Sequence, residues 1–181
     1  LSSLARHRVP ARQFVDPVEL SVFSSRIAAA CDEMGAVLQR AAFSTNIKDR
    51  LDFSCAVFDP AGQLCAQAAH IPVHLGSMAY AMRDIVVGID WQDGDMVMLN
   101  DPYLGGTHLP DVTVIAPVFS ESQLMGFIAN RAHHADIGAE SAGSMPISRE
   151  LREEGQVIPP TRIVIRQDIQ LHILELMLAT M

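Results

Sequence analysis

Cysteine is scarce and scattered: Cys31, Cys55 and Cys65 are the only three in 181 residues, with no C-x-x-C pair and no zinc-knuckle spacing. Set within apolar segments, they read as buried thiols of a reducing compartment, not as ligands or nucleophiles. Positive charge is in the minority. Thirteen Lys and Arg face 21 Asp and Glu, the net charge is −8, and no basic stripe stands out. Nucleic-acid binding is therefore disfavoured. No apolar run approaches the roughly 20 residues that span a bilayer. The opening LSSLARHRVPARQFV also lacks the apolar core of a signal peptide. No membrane role is expected, and an acidic cytoplasmic protein is the default. Neither G-x-x-x-x-G-K-[ST] nor G-x-G-x-x-G occurs, so nucleotide binding within this chain is unsupported. Without G-x-S-x-G there is no nucleophile elbow either.

What is present is ample apolar material. Hydrophobic residues make up 49% of the chain and charged residues 19%, which suits one core and argues against disorder. Asp16-Pro17-Val18-Glu19 is a helix start, with Asp16 as cap and Pro17 in the first helical position. Leu20, Phe23, Ile27, Cys31, Met34, Leu38 and Ala41 then recur at helical spacing, predicting a long amphipathic helix over about 17–43. FSCAVFD and QLCAQAA, joined by Pro60-Ala61-Gly62, read as a hairpin. HIPVHLG reads as a loop, followed by a helix capped by Ser77 and running to about residue 88. MVMLN is a short buried strand. DVTVIAPVF and QLMGFIANRAHH are two strands around a tight turn at Ser120-Glu121-Ser122. VIPPTRIVI is extended, and QDIQLHILELMLATM predicts an apolar-faced helix without a cap, as if a partner covered it or the chain continued. Residue 1 is Leu, so a processed start or a chosen boundary is expected. The sum is an α+β fold, a long N-terminal helix packed on a largely antiparallel sheet with hairpins.

Two polar windows interrupt this pattern, NDPYLGGTHLPD and NRAHHADIG. If the strands between them form a hairpin, Asp111 falls opposite residue 132 or 133, according to turn register. His108 and Asp111 at one strand entry then meet His133, His134 and Asp136 at the other strand's exit. Imidazoles and a carboxylate gathered at a strand end suit Zn, Mn or Fe as a divalent ion. Alternate strand residues face opposite ways, so His133 and His134 cannot both point into one site, and spacing alone does not choose between them. Gly105-Gly106 leave room for backbone to approach closely. Elsewhere, His70 and His74 precede a helix start where free N–H groups favour anions, marking them as candidate substrate-binding residues. Lys48 and Arg50 are candidates to clamp an anionic substrate, and Asp52 can end inside a site. Each of these has a plain structural alternative as loop or solvated turn.

The segments RAAFSTNIKDRLDFSCAVFD, HIPVHLGSM, LNDPYLGGTHLPDVTVIAPVF, ANRAHHADIG and GSMP, with EEG-x-x-IPP beyond, resemble the hydantoinase B/oxoprolinase family. The motifs occur in order over residues 16–165, leaving 1–15 as an extension and 166–181 as the start of a helix belonging to a longer remainder. The resemblance implies a two-component enzyme. A hydantoinase A-type partner uses ATP to phosphorylate a substrate oxygen, and the B-type component receives the activated species. Family members open cyclic amides such as a hydantoin or 5-oxoproline, or carboxylate ketones such as acetone and acetophenone. A short chain acting only as a partner-binding fragment is the third expectation. The resemblance implies a divalent metal on His108, Asp111 and His133, with Asp52 as a fourth candidate. His134 then stands beside the metal and, with Asp136, is a catalytic candidate.

Overall fold

Asp16 opens the first helix by accepting a hydrogen bond from the Val18 amide at 2.8 Å, with Pro17 in the position where a missing N–H costs nothing. The computed structural model describes residues 15–69, 74–139 and 147–178. Its elements are helices α1 (Pro17–Ala41), α2 (Thr45–Lys48), α3 (His74–Gly88) and α4 (Leu171–Leu178). The strands are β1 (Phe53–Phe58), β2 (Leu64–Ala69), β3 (Met96–Leu99), β4 (Asp111–Ser120), β5 (Gln123–His133), β6 (Thr161–Ile165) and β7 (Asp168–Ile169). All seven strands join one sheet in the order β2-β1-β5-β4-β3-β6-β7, and every pairing is antiparallel. The α+β fold expected from the sequence is therefore present. No helix among the described residues is long and apolar enough to cross a membrane.

The two sheet faces are covered differently. On one, α3 buries Met78, Ala81, Met82, Ile85 and Val86, the stripe a helix presents at spacings of three and four. These pack on Phe58, Val97, Leu99, Ile115 and Phe127, with Trp91 edge-on to Phe127 at a centroid distance of 5.2 Å. On the other face, the second half of α1 brings Met34 and Leu38 against Phe53, Cys55 and Ala132. Its first turns do not follow the expected stripe, since Leu20 and Phe23 are 53% and 60% exposed.

Other departures are local. The helix expected from Ser77 already includes His74, and residues 70–73 lie outside the described ones. A short helix, α2, occupies part of the polar FSTNIKDRLD connection. The helix expected over 167–181 begins only at Leu171. Arg166 and Gln167, at φ of 49° and 73°, instead turn the chain back into β7.

The β4–β5 hairpin sets the register that matters. Glu121 and Ser122 take positive φ in a two-residue turn, which pairs Ser120 with Gln123. Continued regularly, that register would set Asp111 opposite Ala132. A bulge beside Val118 inserts one residue into β5, and Asp111 pairs with His133 instead. Gly126 lies in this stretch, where a Cβ would come within 2.2 Å of the Phe58 carbonyl oxygen on β1.

The thiols divide. Cys31 and Cys55 are buried as expected, but Cys65 is exposed, because β2 is the sheet's edge strand. Burial pushes the Cys55 thiol up to about 12 and raises Cys31 as well. In the folded protein a thiol reagent at mildly alkaline pH is expected to modify Cys65 alone, with Cys31 and Cys55 reacting only on unfolding; mass mapping of labelled peptides checks this.

Candidate functional site

The end of the sheet where β4 begins and β5 finishes collects the polar side chains. Asp111 is the first residue of β4 and His133 the last of β5; directly paired residues share a face, so both side chains point to the α3 side. His133 Nδ1 lies 3.0 Å from Asp111 Oδ1. His108, three residues before Asp111, returns its Nε2 to 3.0 Å from the same carboxylate oxygen. The His108 and His133 rings face each other at a centroid distance of 5.0 Å. Helix α3 supplies His74, whose Nε2 lies 3.3 Å from Asp111 Oδ2, and the Thr107 hydroxyl donates to that oxygen too. Ser54 Oγ, on β1, sits 3.0 Å from His74 Nδ1.

The electrostatics follow from this crowding. Burial would push Asp111 up, but hydrogen bonds from His108, His133, His74 and Thr107 outweigh it and hold the carboxyl well below the usual carboxylate range. The hydrogen bond to Asp111 raises His108, against a smaller opposing effect of burial. His133 Nε2 is buried without a hydrogen-bond partner. A carboxylate only accepts, so the ring donates through Nδ1, and Nε2 is the nitrogen left without a protein partner.

A second buried residue supports the loop that carries Thr107 and His108. Arg131, two residues before His133 and on the same face of β5, is fully buried. It donates to Thr113 Oγ1 at 2.8 Å, Ser77 Oγ at 2.7 Å and the Gly105 carbonyl at 2.7 Å. Burial lowers its guanidinium to about 10, against the pull of the Asp111 charge, so it stays cationic at neutral pH. Gly106 packs its α-carbon against the Asn100 carbonyl, 2.1 Å from where a Cβ would stand. Asn100 in turn donates to Leu109 and Gln156 carbonyls at 2.8 Å and accepts from Ile158 N at 2.6 Å, tying both ends of the loop to the IPP segment.

Of the residues singled out from the sequence, His108, Asp111 and His133 converge, and His74 joins them. Asp52 stands at the rim, 25% exposed, with Oδ2 3.9 Å from His133 Nδ1 and its carbonyl accepting the His133 amide. His134 alternates to the α1 side of the sheet, beside Ala42, Ile47 and Val112, and burial lowers its imidazole. Asp136 is exposed and closes a turn by accepting from Gly138 N at 2.9 Å. Lys48 and Arg50 are exposed on α2 and the turn after it, and neither is among the groups contacting Asp111. His70 lies outside the described residues. Sequence reasoning missed Ser54, Thr107 and Arg131. For Arg131 a signal existed, since it stands two residues before His133 on a strand and so shares its face.

Arg131→Met is expected to cost roughly 2–4 kcal/mol, because buried acceptors lose their donor. Arg131→Lys should recover less than half of that, an ammonium lacking the planar fork. Gly106→Ala, which drives a Cβ into backbone, should cost about 2–3 kcal/mol. Urea denaturation of the three variants measures each.

Comparison with known proteins identifies the family and the fold. Residues 16–181 match the Hydantoinase B/oxoprolinase family. A 5-oxoprolinase of Dictyostelium discoideum is 48% identical over 153 residues, covering 83% of this chain and 12% of its own length. The crystal structure of an ATP-dependent caprolactamase from Pseudomonas jessenii superposes with a TM-score of 0.83 at 31% identity, covering 92% of this chain and 29% of the other. A nucleotide-free acetone carboxylase shares the fold at a TM-score of 0.82 and 21% identity, over 91% of this chain and 22% of the other. The chain thus spans under a third of each of these relatives. Motif order, sheet topology and sequence similarity agree that the chain belongs to the hydantoinase B/oxoprolinase family.

Proposed function

We propose that this chain carries the divalent-metal centre of an ATP-dependent hydrolase that opens cyclic amides, with His108, Asp111 and His133 as its protein ligands. The observation that carries the reading is the donor set: each of the three offers one ligand atom, and these atoms lie within 4.8 Å of one another. Two imidazoles and one carboxylate suit Zn, Mn or Fe and leave coordination positions for water or substrate. The residues fit such an ion on structural grounds. Asp111 is held ionised although buried, and His133 keeps a buried ring nitrogen without a partner. A bound ion would supply Lewis acidity, polarising a substrate oxygen and making water a nucleophile near neutral pH.

The chain's own residues divide the remaining work. Asp111 concentrates negative charge at the centre, and Arg131 holds the loop bearing Thr107 and His108 against the sheet. Asp52, partly exposed and 3.9 Å from His133 Nδ1, is the proposed group to take a proton or to join the ligand set. Lactam chemistry is supported by the relatives, a 5-oxoprolinase and an ATP-dependent caprolactamase. ATP use is assigned to a hydantoinase A-type component outside these residues, carried by a partner subunit in a hetero-oligomer; the ATP-dependent caprolactamase among the similar structures supports the ATP requirement.

Metal analysis of the full chain and of His108→Ala and Asp111→Ala tests the site. The wild type should hold about one divalent ion per chain. Each variant should lose it and, in the assembled enzyme, lose ATP-dependent ring opening. Retention of full metal content and turnover by both variants would show the assignment to be wrong.

A further inference from the structure

Asp111 uses its two oxygens differently. Oδ1 faces the two imidazoles proposed as metal ligands, His108 Nε2 and His133 Nδ1, each at 3.0 Å. Oδ2 is engaged instead by His74 Nε2 at 3.3 Å and by the Thr107 hydroxyl. His74 is 1% exposed, and its other ring nitrogen lies 3.0 Å from the hydroxyl of Ser54, itself buried. Both nitrogens of His74 are thus engaged inside the protein, unlike the open anion-binding histidine the sequence suggests. The proton positions follow from the acceptor. A carboxylate cannot donate, so His74 Nε2 carries a hydrogen; in the neutral ring Nδ1 is then an acceptor, and the Ser54 hydroxyl donates to it.

We infer that His74, fixed in its tautomer by Ser54, is a positioning residue that reserves Oδ2 of Asp111, so that the carboxylate meets a metal ion through Oδ1 alone. The inference rests on the metal reading above. A carboxylate free to turn can bind an ion through one oxygen or both. Two hydrogen bonds on Oδ2, from α3 and from the loop before β4, fix the carboxylate plane and oppose the two-oxygen mode. One-oxygen binding keeps a coordination position open for a reacting oxygen. The chain Ser54–His74–Asp111 also links β1, α3 and β4, so the ligand is aimed by three elements of the sheet-and-helix scaffold.

Mn(II) binding to the full chain, followed by titration calorimetry and by the electron paramagnetic resonance spectrum of the bound ion, tests this. His74→Leu removes the donor and should weaken Mn(II) binding about 10–100-fold with an altered spectrum. His74→Gln keeps an amide donor toward Oδ2 and should restore much of the affinity, and it also serves if the Leu variant does not fold. Ser54→Ala should produce a smaller loss in the same direction. If His74→Leu and His74→Gln both bind Mn(II) as tightly as the wild type with an unchanged spectrum, His74 does not position Asp111. If the wild type itself binds no Mn(II), Zn(II) or Fe(II), the metal reading fails, and this inference fails with it.

Discussion

One buried carboxylate organises this molecule. Removing an ionised Asp from water costs several kcal/mol unless donors replace the lost hydration. Asp111 obtains four, from His74, His108, His133 and Thr107. Those donors come from a helix, a loop and a neighbouring strand, which must all arrive at one point before the charge is tolerable. The requirement accounts for His74 of α3 and the 105–110 loop being drawn onto the end of the β4–β5 pair.

The same logic extends one layer outward. A cluster of imidazoles around one anion leaves little slack, so the loop bearing His108 needs its own support. Arg131 provides it through the Gly105 carbonyl, and Asn100 ties the loop's two ends to the segment before β6. Arg131 also places a buried positive charge on the face that holds Asp111, and the two charges offset part of each other's desolvation. The result is a polar seam under the end of α3, continuous with the apolar core that Met78, Met82 and Ile85 build further along the helix.

Much of this was legible in the sequence, for identifiable reasons. The capped start of α1, the two hairpins and the antiparallel sheet follow from local signals: a cap residue before proline, alternating burial, and short turns. The meeting of HLPD with AHHAD followed from treating 111–134 as a hairpin. Spacing did not choose between His133 and His134, because the choice depends on a bulge that no turn residue announces; only the family resemblance favoured His133. His74 was legible as a polar residue before a helix but not as a partner of Asp111, since that contact joins residues 37 apart through tertiary packing. The exposed first turns of α1 defeat the amphipathic reading in a different way. Periodicity reports which residues can share a face, while tertiary packing decides how tightly that face is covered: Phe23 and Ile27 line an open cavity with Val57, Cys65 and Met125 of the sheet.

The bulge beside Val118 has a further meaning. It lies near the hairpin tip, while Asp111 and His133 lie at the opposite end, some seven strand residues away, or roughly 23 Å at the usual rise of a strand. An antiparallel ladder transmits a count without loss. One residue more or fewer anywhere between turn and bulge would slide every later pair by one step and present Ala132, or His134, to Asp111. The hairpin therefore behaves as a ruler whose reading is taken at the site. Substitutions along it can be absorbed by packing, but an insertion or deletion within one strand moves the pairing at the site unless a further bulge takes it up. Between the closing pair of the turn and the site, strand length should be more constrained than composition, whereas the turn itself can lengthen without moving that count.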